Sequence, residues 1–164
     1  MEIGNQSQQQ NNMAYKQDKQ GRFGKVAVIV WTVDPENTVR FLMRHNKPFN
    51  SYDDEWTITF GNVEENESEE TAAIREASEE FSIDKFEGET LNLDYNIEYE
   101  GKKGKTIIHF FAVKVASIDQ KIILNEESVG YDWMKIEKVK EVMQYDDEKK
   151  AFDKLLEKLP VAGK

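Results

Sequence analysis

The chain reads as an α/β protein, a three-layer α/β/α sandwich around a mixed β-sheet. Three observations predict that class. Lys25–Thr32 (KVAVIVWT) is a short, almost wholly apolar and β-branched run, the signature of a strand buried on both faces. Further strand-like segments recur along the chain, bounded by turn residues. Two stretches, beginning at Ser68 and at Asp147, instead carry apolar residues at helical spacing, and strands separate them.

Taken in order, residues 1–20 are rich in Gln and Asn and nearly free of apolar anchors, so they read as a disordered tail. Residues 21–164 then form one domain. After the first strand, Asp34–Asn37 is a turn and Val39–Arg44 a returning strand. Asn46–Glu55 is a polar loop, and Trp56–Phe60 a short strand running into Gly61. Ser68 is the N-cap of the first helix, with Glu69 and Glu70 favourably placed in its first turn. Ala73, Ala77 and Phe81 are its inward stripe, small enough for close approach to a sheet. Leu91–Tyr99 and Thr106–Val115 read as a hairpin joined through Glu100–Gly104. Lys121–Leu124 and Asp132–Met134 read as two further strands, and Ile136–Met143 as a short helix. Asp147–Leu159 closes the chain as an amphipathic helix with Phe152, Leu155 and Leu156 inward.

The length of 164 residues suits a single domain with a sizeable core. The absence of cysteine removes disulfide frameworks and thiolate zinc sites. No apolar run is long enough for a membrane span or a signal peptide, so the expected location is the cytoplasm. A net charge of −10 argues against a protein that grips nucleic acid by its phosphates. It leaves room for a small phosphorylated substrate, because a bound metal reverses the local sign.

The residues with the most chemistry lie between Gly61 and Glu80. Glu76, Glu79 and Glu80 stand at i, i+3 and i+4, on one face of a helix. At an effective dielectric near 20 and a separation of ~5 Å, each like-charge pair costs roughly 3 kcal/mol. Glu79 and Glu80 also fall at the helix C-terminal end, where the macrodipole disfavours anions. A hard divalent cation taking oxygen ligands, Mg²⁺ first among them and Mn²⁺ as a substitute, relieves that repulsion. A generic acidic helix is a solvated face, but such a face has no use for Gly61, Glu67 and Arg75 at set distances from the carboxylates.

The spacing G-x5-E-x7-R-E-x2-E-E, from Gly61 through Glu67 and Arg75 to Glu80, resembles the Nudix box of hydrolases that cleave phosphoric anhydrides linked to nucleoside diphosphates. The resemblance implies the Nudix α/β/α sandwich and roles for each position. Glu76 and Glu80 are metal ligands, and Glu79 ligates the same or a second metal. The Gly61 carbonyl completes the shell, and Arg75 pairs with Glu67 to fix the loop on the helix. Ser82 departs from the family, which has glycine after the helix. The family also draws a carboxylate from a later loop, for which Glu126 and Glu127 are the candidates.

Beyond the box, Lys105–Ala112, Glu126–Trp133 and Gln144–Leu156 resemble the asymmetrical diadenosine tetraphosphate hydrolases. That resemblance implies release of ATP and AMP from the dinucleotide. It favours Glu127 as the extra ligand or general base, Lys105 as a phosphate contact, and His109 and Tyr131 as surfaces on which adenine stacks. Trp56–Glu64 departs from it. Thr59, Phe60 and Asn62 stand where those enzymes carry Pro, Lys or Gly, and His, and this strand resembles dihydroneopterin triphosphate pyrophosphatases and nucleoside triphosphate hydrolases instead. A non-catalytic nucleotide sensor is the third reading, and the complete set of box carboxylates speaks against it. The expected partner is a small nucleotide substrate.

Overall fold

Side chains alternate along β1 (Phe23–Val33), and the alternation divides the core in two. Val26, Val28 and Val30 enter one apolar cluster, while Ala27, Ile29 and Trp31 enter the other. In the computed structural model, which describes residues 15–46 and 55–160, β1 is the central strand of a seven-stranded mixed sheet. It runs parallel to β6 (Gly104–Lys114) along one edge. Its other edge is shared by two antiparallel partners. Val30–Val33 pairs with β2 (Val39–Asn46), and Lys25–Val28 pairs with β4 (Thr59–Asn62).

β2 leaves β1 after Leu42, and its far half pairs with β3 (Trp56–Thr57) and with β7 (Ser128–Met134). β5 (Glu87–Gly101) closes the other side against β6. The β5–β6 turn is tighter than the sequence reading, with only Lys102 and Lys103 between the strands. The expected strand Trp56–Phe60 is broken at Ile58 into β3 and β4, because its two halves pair with different neighbours.

Helix α1 (Glu69–Phe81) covers the face of Val26, Val28 and Val30 through Ala72, Ala73, Ala77 and Phe81. Helices α2 (Ile136–Val142) and α3 (Asp146–Lys158) cover the other face through Val139, Ala151, Phe152 and Leu155. These are the predicted three layers. Phe81, buried to 1% exposure, contributes about 2–3 kcal/mol to the contact.

Two expectations change. Lys121–Leu124 is not a strand. It is tied to α1 by one backbone bond, Ile123 N–H to the Phe81 carbonyl at 3.0 Å. Ile122 and Leu124 pack on the α1-side core while Ile123 is exposed, so the alternation reflects packing without a ladder. Residues 15–20, expected within the tail, pair with the rest of the fold. Tyr15 bridges Glu64, and the Lys16 N–H donates to the Val63 carbonyl at 2.9 Å. The rest of the expected tail, residues 1–14, and residues 47–54 of the expected loop lie outside the described residues.

Candidate active site

The box is built from α1 and the loop that feeds it. The Ser68 side chain accepts the Thr71 N–H at 3.1 Å and opens the helix as predicted. At the other end Ser82 adopts the left-handed conformation with φ 56°. The Ser82 and Ile83 N–H groups both donate to the Ser78 carbonyl, a Schellman closure with buried Ile83 as its apolar contact. Serine therefore performs the turn that glycine makes more easily.

Arg75 organises the loop. Its Nη2 donates to Glu67 Oε1 at 2.6 Å and its Nε to Glu67 Oε2 at 3.1 Å. Nη2 also reaches the Asn62 carbonyl at 3.0 Å, and Nη1 reaches Glu76 at 2.9 Å and Glu79 at 3.0 Å. Glu67 is held below the usual carboxylate range, first by its hydrogen bonds with Arg75. The same bonds, Glu67 foremost, raise the guanidinium further above its ordinary value.

Gly61 pairs with Val26 and faces α1. A Cβ there would overlap the Cγ and Cδ of Glu76. The glycine is thus required by the seat of the Glu76 carboxylate, whose pKa burial raises against the pull of Arg75. Glu80 is 5% exposed. Its Oε1 lies 3.6 Å from Arg44 Nε, and its Oε2 is buried without a hydrogen-bond partner. Burial raises its pKa, Arg44 opposes this, and the charge of Glu127 adds to it. Glu126 and Glu127 both lie in the exposed turn before β7.

Among the described residues no three carboxylate or imidazole groups stand ready at ligating separation. Arg75 lies between Glu76 and Glu79, and Glu79 points to solvent. The residues nonetheless fit a hard cation. A buried carboxylate oxygen with no partner is costly, and the donor set is all oxygen.

The three expected substrate contacts are not brought together. Lys105 and His109 are on β6, whereas Tyr131 is on β7, with β2 and β1 between them. His109 pairs with Val26 and so takes the α1 face. There it is half-buried near Glu69, Arg22 and Asp18, and burial lowers its pKa. Tyr131 is exposed and paired with Arg44. Trp133, two residues on, packs against the α1-side core.

A cavity of about 510 Å³ opens instead beside Asn62, lined by Phe23, Lys25, Tyr99, Lys102, Lys103 and others. Lys25 and Tyr99 alternate with the α1-facing residues and take the opposite sheet face. Sequence reasoning missed these lysines, because Lys25 lies far in the chain from Lys102 and Lys103. The signal available was the double lysine at the tip of a predicted hairpin.

The NUDIX domain family model matches residues 24–157. This chain belongs to the Nudix family. A pig protein, bis(5'-nucleosyl)-tetraphosphatase (asymmetrical), is 33% identical over 99 residues, covering 57% of this chain and 65% of the pig protein. The chain thus spans just under two thirds of that relative's length. Among solved structures, a Nudix hydrolase from Listeria monocytogenes matches with a TM-score of 0.68 at 22% identity, covering 81% of this chain and 91% of that one. The Ap4A hydrolase of C. elegans, solved as a binary complex, matches with a TM-score of 0.66 at 20% identity, covering 82% and 95%. At these identities the structural matches speak to the fold. Among the described residues no helix is long and apolar enough to cross a membrane.

Proposed function

We propose that this protein hydrolyses a phosphoric anhydride bond in a nucleotide, with a dinucleoside polyphosphate as substrate: diadenosine tetraphosphate plus water yields ATP and AMP. The observation that carries the hydrolytic reading is Glu80, a buried carboxylate with one unpartnered oxygen, one turn from a Glu76 seated against Gly61. Membership of the Nudix family supports it, and likeness to the pig tetraphosphatase supports the substrate.

In this reading Glu76 and Glu80 hold a divalent cation, Mg²⁺ or Mn²⁺, with Glu79, Glu127 and the Gly61 carbonyl as further donors. When bound, the cation supplies charge neutralisation at the phosphate oxygens and acidifies the attacking water. Arg75, locked to Glu67 and Asn62, keeps the loop and Glu76 in place. The cavity beside Asn62 opens on the sheet face opposite Glu76 and Glu80, so Lys25, Lys102 and Lys103 add positive charge to an otherwise strongly acidic chain without contacting the bond that is cleaved. Lys105 contributes charge nearby, while His109 and Tyr131 share the α1 face with β2 and β1 between them, so both stack on bases only if the substrate spans those two strands. Glu127 takes the proton of the water as its oxygen bonds to phosphorus and the bridging P–O bond breaks. A soluble, cytoplasmic enzyme acting on a small molecule fits this chemistry.

The test is Mg²⁺-dependent cleavage of diadenosine tetraphosphate with chromatographic separation of products. ATP and AMP in equal amounts support the reading. Two molecules of ADP, or no cleavage, refute the asymmetrical assignment. Thr59 and Phe60 before Gly61, and Asn62 after it, favour a second reading in which a nucleoside or pterin triphosphate is cleaved. Turnover of those compounds alone would select it. Ligand binding without turnover in both wild type and Glu80→Gln would indicate a sensor.

A further inference from the structure

Arg44 follows the apolar run Phe41–Met43 on β2 and is a charged residue, yet it is only 8% exposed. Its guanidinium is gripped from several elements at once. Nε donates to the Ile58 carbonyl, at the break between β3 and β4, at 3.2 Å. Nη1 donates to Asn46 Oδ1 on its own strand and to Ser128 Oγ on β7 at 3.2 Å. From that fixed position Nε faces Glu80 Oε1 at 3.6 Å, leaving Oε2 buried and unpartnered. Two arginines therefore divide the acidic cluster. Arg75 takes Glu67, Glu76 and Glu79, and Arg44 takes Glu80.

We propose that Arg44 is a positioning residue for the cation site: anchored by Ile58, Asn46 and Ser128, its charge stands beside one oxygen of Glu80 and orients the other, unpartnered oxygen as the one available to a cation. The inference rests on the metal reading above. A planar guanidinium suits this task because its donors are fixed relative to one another, so the bonds to Ile58, Asn46 and Ser128 hold its charge in one place beside Glu80. Lysine carries the same charge, but its single nitrogen cannot serve Ile58, Ser128, Asn46 and Glu80 together. Fork geometry, more than charge, is what the site needs. Charge alone has the opposite sign, because a nearby cation repels a metal ion.

The test is Mn²⁺ binding at equilibrium, followed by the loss of free-ion electron paramagnetic resonance signal, with no substrate present. Arg44→Lys is expected to weaken Mn²⁺ binding at least 5-fold, with Arg44→Gln no better. In a Glu80→Gln background Arg44→Lys is expected to have no further effect, since the two act on one ligand. Ser128→Ala, a lighter change, is expected to weaken binding 2- to 3-fold, and it serves if the Arg44 variants do not fold. Wild-type affinity in Arg44→Lys, or in Ser128→Ala where the Arg44 variants do not fold, overturns the positioning role, as does an equal loss with and without Glu80. No Mn²⁺ binding by the wild-type protein overturns the metal reading, and this inference with it.

Discussion

Replacing Gly61 by alanine tests the seat of Glu76 directly. The new methyl would overlap the Glu76 carboxyl, so Glu76 must swing away or α1 must shift from the sheet. Swinging away forfeits the 2.9 Å bond to Arg75. A charge-assisted bond is worth about 1.5–3 kcal/mol, and partial exposure of both partners reduces this to about 1–2 kcal/mol. A strained rotamer adds roughly 0.5–1.5 kcal/mol. The reduced freedom of the unfolded chain returns about 0.4–1 kcal/mol. The net loss is about 0.5–3 kcal/mol, a fall in Tm of roughly 1–12 °C for a domain of this size. If Glu76 ligates the cation as proposed, turnover falls further, about 100-fold. The assay is urea denaturation of Gly61→Ala, Glu76→Ala and the double variant, with turnover measured alongside. Truncating Glu76 removes the three atoms nearest the methyl, so the cycle is expected to show a coupling of about 1 kcal/mol. Stability losses that add within about 0.3 kcal/mol, or full activity in Gly61→Ala, would falsify the steric argument.

Other consequences follow from single residues. Glu80→Gln should lower kcat by about two orders of magnitude with the fold intact, and Mg²⁺ should raise the Tm of wild type more than that of the variant. Equal Mg²⁺ responses would count against Glu80 as a ligand. Glu148, on the first turn of α3, has its pKa pushed up to about 7, first by burial and then by Glu55 and Asp147. A folded-state pKa above the unfolded one means its contribution is intact below the ordinary carboxyl range and is lost as pH rises through about 7. Glu148→Gln should therefore gain stability over wild type between pH 5 and pH 8, by about 1 kcal/mol after solvent screening. A stability difference that does not change with pH would refute it. Ser82→Gly should stabilise the protein by about 0.5–1 kcal/mol by relieving the left-handed backbone at φ 56°. A lower Tm would show that Ser82 does more than turn the chain.

What could be read from the sequence was local. The box needs only helical spacing, because residues at i, i+3 and i+4 share a face whatever surrounds them. The Ser68 cap, the Ala73, Ala77 and Phe81 stripe and the alternation of β1 are likewise set by the period of the element. Those periods sufficed for three layers and a mixed sheet. Alternation misled at Lys121–Leu124, where side chains pack inward and outward without a neighbouring strand to bond. The roles of Lys105, His109 and Tyr131 came from resemblance, and strand order separates Tyr131 from the other two. Arg44 and Lys25 were passed over because each stands at the end of an apolar strand run, where a charge gives no sign of its partner. Their partners are residues of other strands, loops and helices, brought near only by the parallel β1–β6 pairing and the divergence of β2 from β1. Sequence by itself determined which carboxylates share a helix face. Tertiary structure decided which of them is buried, which arginine each one meets, and where the lysines gather, because burial and charge pairing are set by contacts between segments distant in the chain.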